Sequence, residues 1–111
     1  MKVVYVPYDG VVSVVDADYK EYGSVYISGI DTPYAVSAEK QLGMDYTMIR
    51  DEGFVIPEEN SENYINKVMS KFLGRTVYGN FAICKFKDDD IDNLCGLSDR
   101  SIKYVMRELN K

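Results

Sequence analysis

Apolar positions in this chain recur with two periods, about two and about 3.6 residues, and the stretches that carry each period mark out its elements. Lys2–Tyr8, rich in Val and Tyr, reads as a strand. Asp9-Gly10 beside it is a strong hairpin signal, because a type I′ turn needs φ > 0 at both central positions. Val11–Val15 is then the return strand. Pro7 lacks an N–H, so its place is a sheet edge or a strand end. Asp16–Tyr22 is polar and reads as a turn or short helical piece, and Ser24–Ser28 reads as a short strand. From Gly29 to Asp45 no period is clean; a short helix near Ser37–Leu42, capped by Ser37 and stopped by Gly43, is the one element the residues support there. Tyr46–Arg50 and Phe54–Ile56 flank Asp51-Glu52-Gly53 as a second hairpin that Pro57 ends.

The second half is more regular. Tyr64, Ile65, Val68, Met69, Phe72 and Leu73 form one apolar stripe at helical spacing. Asn60 or Ser61 can cap its start, and Gly74 stands where a left-handed C-terminal residue is wanted. Thr76–Lys87 alternates, with Phe81, Ile83 and Lys85 on one face and Ala82, Cys84 and Phe86 on the other. It reads as a long strand, bent or bulged at Gly79-Asn80. In the last helix Ser98 is the N-cap, and Leu97 can staple onto Ile102. Ile102, Val105, Met106 and Leu109 face the core. Two helices need an apolar surface to pack on, and hairpin-connected strands supply it. The expected fold is a two-layer α+β domain with a largely antiparallel sheet, one domain over residues 1–111.

Composition removes more functions than it adds. With 46% apolar and 28% charged residues the chain is an ordinary globular one. It has no histidine, the usual catalytic base, shuttle and metal ligand, which lowers the expectation of an enzyme. Cys84 and Cys95 lack the spacing of a disulfide framework and point to a reduced, cytoplasmic protein. The valine-rich opening is broken by Pro7 and Asp9, too short for a signal peptide or membrane span. The net charge of −5 is uneven: residues 1–62 carry −8 and residues 63–111 carry +3. A global acidic excess speaks against direct nucleic-acid binding, which depends on cations at the phosphates.

Four sets of residues could carry chemistry or contacts. Asp88, Asp90 and Asp92 have the spacing of the first ligands of a calcium loop, with Asp99 at the twelfth place. Asn93 replaces the glycine such a loop turns on, so a solvated connection between strand and helix competes with metal binding; no metal and no cofactor is expected. Asp16, Asp18 and Glu21 form one acidic cluster, and Asp51, Glu52, Glu58, Glu59 and Glu62 another; paired carboxylates could do acid–base work, but solubilising loops are the ordinary explanation of both. Arg100, Lys103, Arg107 and Lys111 share one face of the last helix, either as a strip for an anion or as a solvated face. Of ten tyrosines, Tyr19, Tyr22 and Tyr34 lie in non-periodic stretches, where core packing explains them least and interface contact best.

Met1–Val6, Asp51-Glu52-Gly53-Phe54, Arg75-Thr76-Val77-Tyr78-Gly79-Asn80-Phe81-Ala82-Ile83 and Gly96-Leu97-Ser98-Asp99 carry a resemblance. Over residues 45–109 in particular the chain resembles a family of small uncharacterised domains of bacteriophages and mobile elements of Gram-positive bacteria. The family has no assigned reaction; the resemblance implies an accessory role, often in phage–host conflict. Together these observations lead to a non-enzymatic inhibitor or adaptor that binds a host defence or nucleic-acid-handling protein. The contact surface would be Asp16, Asp18, Tyr19, Glu21, Tyr22 and Tyr34. One alternative is a nucleotide-binding or sequestering protein, with tyrosines stacking a base and Arg75, Arg100, Lys103 or Arg107 holding phosphate. Another is a metal-dependent enzyme built on Asp88–Asp99. A homodimer through an unpaired sheet edge is an open route.

Overall fold

In the computed structural model, residues 1–19, 25–87 and 90–111 are described. The strands are β1 (Lys2–Val6), β2 (Ser13–Asp16), β3 (Asp18–Tyr19), β4 (Val25–Tyr26), β5 (Pro33–Ser37), β6 (Tyr46–Asp51), β7 (Phe81–Lys87) and β8 (Asp90–Cys95). The helices are α1 (Glu39–Leu42), α2 (Lys67–Leu73) and α3 (Asp99–Leu109). The main sheet is antiparallel in the order β2-β1-β7-β6-β5, with β8 paired to β7, and β3 and β4 form a separate ribbon. The fold is α+β, as the alternation predicts.

Both faces of the sheet's central strands, β1, β6 and β7, carry buried residues. Phe81 and Ile83 of β7 join Val4, Val6, Tyr46 and Met48 beneath α2 and α3, with Met69, Val105 and Leu109 closing from the helices. Ala82 and Cys84 join Val3, Ile49, Val25, Ile27 and Ile30 on the opposite face, under the β3–β4 ribbon. The two-stranded ribbon covers part of the face of the sheet opposite the helices. Its apolar residues are few and adjacent, so they carry no period.

Local chemistry explains where the elements start. Asn66 is fully buried and caps α2: its Oδ1 accepts from Met69 N at 3.0 Å, and its Nδ2 donates to Val6 O at 2.8 Å and Gly79 O at 2.9 Å. That cap corrects the predicted start. Ser61–Tyr64 is a separate 3-10 turn, and Ile65 bridges Tyr78. Gly74 ends α2 at φ 71°, the left-handed conformation expected there. Ser98 caps α3 by accepting from Ser101 N at 3.2 Å, with Leu97 and Ile102 both in the helix-side core. The helix near Ser37–Leu42 is one turn, with Ser37 Oγ accepting from Glu39 N.

Three further expectations are corrected. β1 and β2 form a hairpin, but Tyr5 pairs Ser13, so residues 7–12 make the loop and Asp9-Gly10 only bends it. Tyr8 has left the ladder: its N–H donates to Asn80 Oδ1, and its ring packs on Phe54 and Tyr64 at 5.8 and 5.4 Å. The second hairpin does not form; β6 already has β5 on one edge and β7 on the other, so 54–56 has no strand to join. Positions 90–95, read as loop, are strand β8, paired with β7 across a register irregularity at Phe86/Lys87.

Candidate functional site

The residues of α3 follow from its periodicity. Val105 and Leu109 are buried against the sheet, with Ile102 and Met106 half-buried beside them. The flank one step round carries Arg100, Lys103, Tyr104 and Arg107. Against that flank lies Tyr46, the first residue of β6, and cross-strand from Tyr46 is Lys85 of β7. Between them opens a groove of about 550 Å³ lined by Tyr46, Arg100, Ser101, Lys103, Tyr104 and Arg107.

The rings of this groove are held in place. Tyr104 Oη donates to the Leu42 carbonyl at 2.8 Å, satisfying one of the orphan carbonyls at the end of α1. The Tyr46 and Tyr104 rings stand 5.7 Å apart and tilted by 53°. Lys85 Nζ lies 4.6 Å from the centre of Tyr46, and the Arg107 guanidinium 5.7 Å from that of Tyr104. Among the described residues the ion pairs are Lys2–Asp99 and Lys111–Glu108. Lys111 is therefore taken from the predicted strip, while Arg100, Lys103 and Arg107 line the groove, and Lys85 lies over the Tyr46 ring, without a carboxylate partner among the described residues. Lys85, beside the lining Tyr46, is the neighbour that sequence reasoning missed. Its place on the Phe81–Ile83 face was legible; that this face ran beside α3 was not.

A second concavity, of about 560 Å³, lies further along the same face of the sheet. Tyr34 and Val36 of β5, Met48 of β6 and Phe81 of β7 floor it. Leu73, Arg75 and Val77 wall one side, with Phe54 and Ile56 also at its margin. Arg50 lies 5.1 Å over the Tyr34 ring. Asp51, on the rim, is committed to the backbone: its carboxylate accepts from Asp31 N, Thr32 N at 3.0 Å and Gly53 N. It is a clasp on two turns rather than an acid–base group.

The predicted acidic contact surface divides. Asp16 ends β2, and Asp18 stands on β3 opposite Tyr26; all three are exposed. Tyr19 follows on β3, opposite Val25. Glu21 and Tyr22 lie outside the described residues. Tyr34 is on β5, at the other edge of the sheet. Four strand intervals separate β2 from β5, about 19 Å at the usual spacing, so Tyr34 stands at the opposite edge of the sheet from Asp16.

The calcium-loop candidates are also separated. Asp88 lies outside the described residues, Asp90 and Asp92 are in the extended β8, and Asp99 is in the first turn of α3 with Lys2 Nζ at 3.9 Å. Among the described residues no three of the acidic and cysteine side chains converge as a metal site. Burial, and secondarily Cys95, pushes the Cys84 thiol up to about 12, which keeps it protonated and a poor nucleophile. No described helix is long and apolar enough to cross a membrane. No protein-family model, curated protein or solved structure matches this chain.

Proposed function

We propose that this protein is a non-enzymatic binding protein whose α3 groove takes up a phosphate-bearing anion. The observation that carries this reading is the gathering of Arg100, Lys103 and Arg107 around one concavity, with Lys85 over the ring of its lining Tyr46, without carboxylate partners among the described residues, in a chain of net charge −5. Like charges crowded without counter-charge destabilise a fold modestly; an anionic ligand relieves them. Arginine suits such a role because its planar fork bonds two oxygens at once.

The tyrosines set the specificity. Tyr46 is buried and Lys85 lies over its ring, and Arg107 lies over Tyr104. Recognition therefore rests on charge rather than on stacking of a base. Tripolyphosphate and ATP are expected to bind with similar affinity, and the affinity to fall steeply with added salt. Isothermal titration with both ligands at low and high salt decides it. Heat from neither ligand at low salt sinks the proposal, and a strong preference for ATP overturns the charge-only account.

A second reading is an inhibitor or adaptor of phage or mobile-element origin that docks on a host protein. The exposed Asp16, Asp18 and Tyr26, on the β2–β4 side of the molecule, favour it. Its test is capture from a bacterial lysate with Asp16→Lys/Asp18→Lys as control. A stoichiometric partner retained by the charge-reversed variant rules out this corner as the contact.

A further inference from the structure

We propose that two copies of this chain pair through β5, antiparallel, about a twofold axis at Ala35. This inference uses none of the α3 residues and stands independently of the anion reading.

β5 is the last strand of the sheet, and all five of its residues are exposed. Natural edge strands are blunted by charges, bulges or brevity. The opposite edge, β2, is four residues long and carries Asp16; β5 is Pro-Tyr-Ala-Val-Ser, without a charge, in a chain that is 28% charged.

The direction of its free backbone groups follows from the hydrogen bonds around it. Ala38 N donates to Tyr46 O, and Glu52 N donates to Thr32 O. Groups alternate along an antiparallel strand, so even-numbered residues 32–38 turn toward β6. Pro33, Ala35 and Ser37 therefore turn to the open edge. Pro33 brings no N–H there, a device that spoils most registers of self-pairing.

One register survives it. With Ala35 opposite the partner's Ala35, each Ala35 N–H reaches the other's carbonyl. Each Ser37 N–H then meets the partner's Pro33 carbonyl. Every free-edge N–H finds an acceptor, and the proline stands where a donor is not needed. Ser37 Oγ is already occupied as acceptor from Glu39 N, which leaves its backbone for this role.

The side chains agree. Tyr34 (46% exposed) and Val36 (36%) point to the helix side, with Arg50 and Met48 as their β6 neighbours. In the Ala35-centred register Tyr34 lies beside the partner's Val36, and the reverse. Exposed apolar area on each copy is covered by its equivalent, the self-complementarity a twofold interface requires. The two β5 concavities then meet at the junction, so each gains apolar wall from the second copy.

A five-residue edge buries less than the roughly 1,200–2,000 Å² of a standard interface, so the pairing is concentration-dependent. Sedimentation velocity between about 5 and 500 µM should show the mass rising from 12.7 kDa toward twice that value. Ala35→Pro removes an outward N–H without touching the β6 ladder and should hold the chain at monomer mass with unchanged circular dichroism. Val14→Lys, on the opposite edge, should leave association intact. A wild-type chain that stays monomeric throughout overturns the proposal, as does a folded Ala35→Pro that still pairs, or association lost in Val14→Lys. Should Ala35→Pro fail to fold, Tyr34→Lys decides: a folded monomer supports the β5 pair, and a folded dimer overturns it.

Discussion

The two concavities on the helix side are close in size, about 550 and 560 Å³, and opposite in construction. The α3 groove is ringed by cations on long stems over tyrosines that are fixed by Leu42, Lys85 and each other. The β5 trough has an apolar floor, and its charges are balanced, Arg50 packed on Tyr34 and Asp51 bound to backbone, with Glu52 and Arg75 also lining it. On the proposed readings charge would select at the first, and shape and an unfinished strand edge at the second. The first should therefore respond to ionic strength and the second should not. Their origins differ too. One helix contributes most of the α3 groove, whereas the trough draws on three strands, the end of α2 and two connecting stretches.

The largest way to break this comparison is at Asn66. Its side chain ties the start of α2 to β1 and to the 77–79 stretch that walls the trough. Asn66→Ala leaves the Val6 and Gly79 carbonyls and the Met69 N–H without their partner in a fully buried place. It should cost about 4 kcal/mol, measured by urea unfolding. The fraction that remains folded in the cold should keep its tripolyphosphate affinity within about twofold, since no α3 groove residue bonds Asn66. Loss of both together would mean that the grooves are one cooperative unit.

Alkaline pH attacks the layer beneath both. Cys84 titrates near 9.0 when unfolded and is pushed up to about 12 by burial in the fold. The folded chain holds a proton that the unfolded chain gives up, so this contribution is intact below pH 9 and is lost as pH rises from 9 to 12. Tyr5, also raised by burial and then by Asp9, acts in the same direction. Urea midpoints should fall across that range, and Cys84→Ala should flatten the fall at some cost in stability at neutral pH. An unchanged slope in Cys84→Ala would assign the alkaline loss elsewhere.

At the α3 groove itself, Arg100→Ala or Arg107→Ala should weaken tripolyphosphate binding about fivefold each, near 1 kcal/mol for an exposed charge. Thermal stability should move by less than about 0.5 kcal/mol. Equal losses of affinity and stability would make these arginines structural.

The difference in construction also explains what the sequence could disclose. The α3 cap, its buried stripe and the shared flank of Arg100, Lys103 and Arg107 are local: residues three and four apart meet on any helix. Ser98 and Val105 were readable for that reason. Tyr46 completes the groove, with Lys85 over its ring, only because β6 pairs with β7, and strand pairing is not written in a period. The same applies to Phe54. Its neighbours suited a hairpin, yet it packs with Tyr8 and Tyr64 because both edges of β6 were already taken. Asp90–Cys95 misled through charge: an acidic run reads as loop, but pairing with β7 overrides that preference at β8. Tyr34 is exposed, as its non-periodic stretch suggests, but exposure along the chain carries no information about which edge a strand occupies.

The smallest effect tests the division most finely. Tyr104 belongs to the cation groove by position, but its hydroxyl is turned away from any ligand role by the Leu42 carbonyl. Tyr104→Phe keeps the ring under Arg107 and removes that one bond. The cost should be about 1 kcal/mol in urea unfolding, the net worth of a partly buried hydrogen bond plus an unpaired carbonyl. Tripolyphosphate affinity should stay within about twofold, because the ring still braces Arg107 and the hydroxyl had no ligand contact to lose. The opposite pattern, stability intact and affinity down as far as in Arg107→Ala, would show that the hydroxyl swings from Leu42 to the anion. The groove would then recognise its ligand by directed hydrogen bonding as well as by charge, and the contrast with the β5 trough would rest on polarity rather than on charge alone.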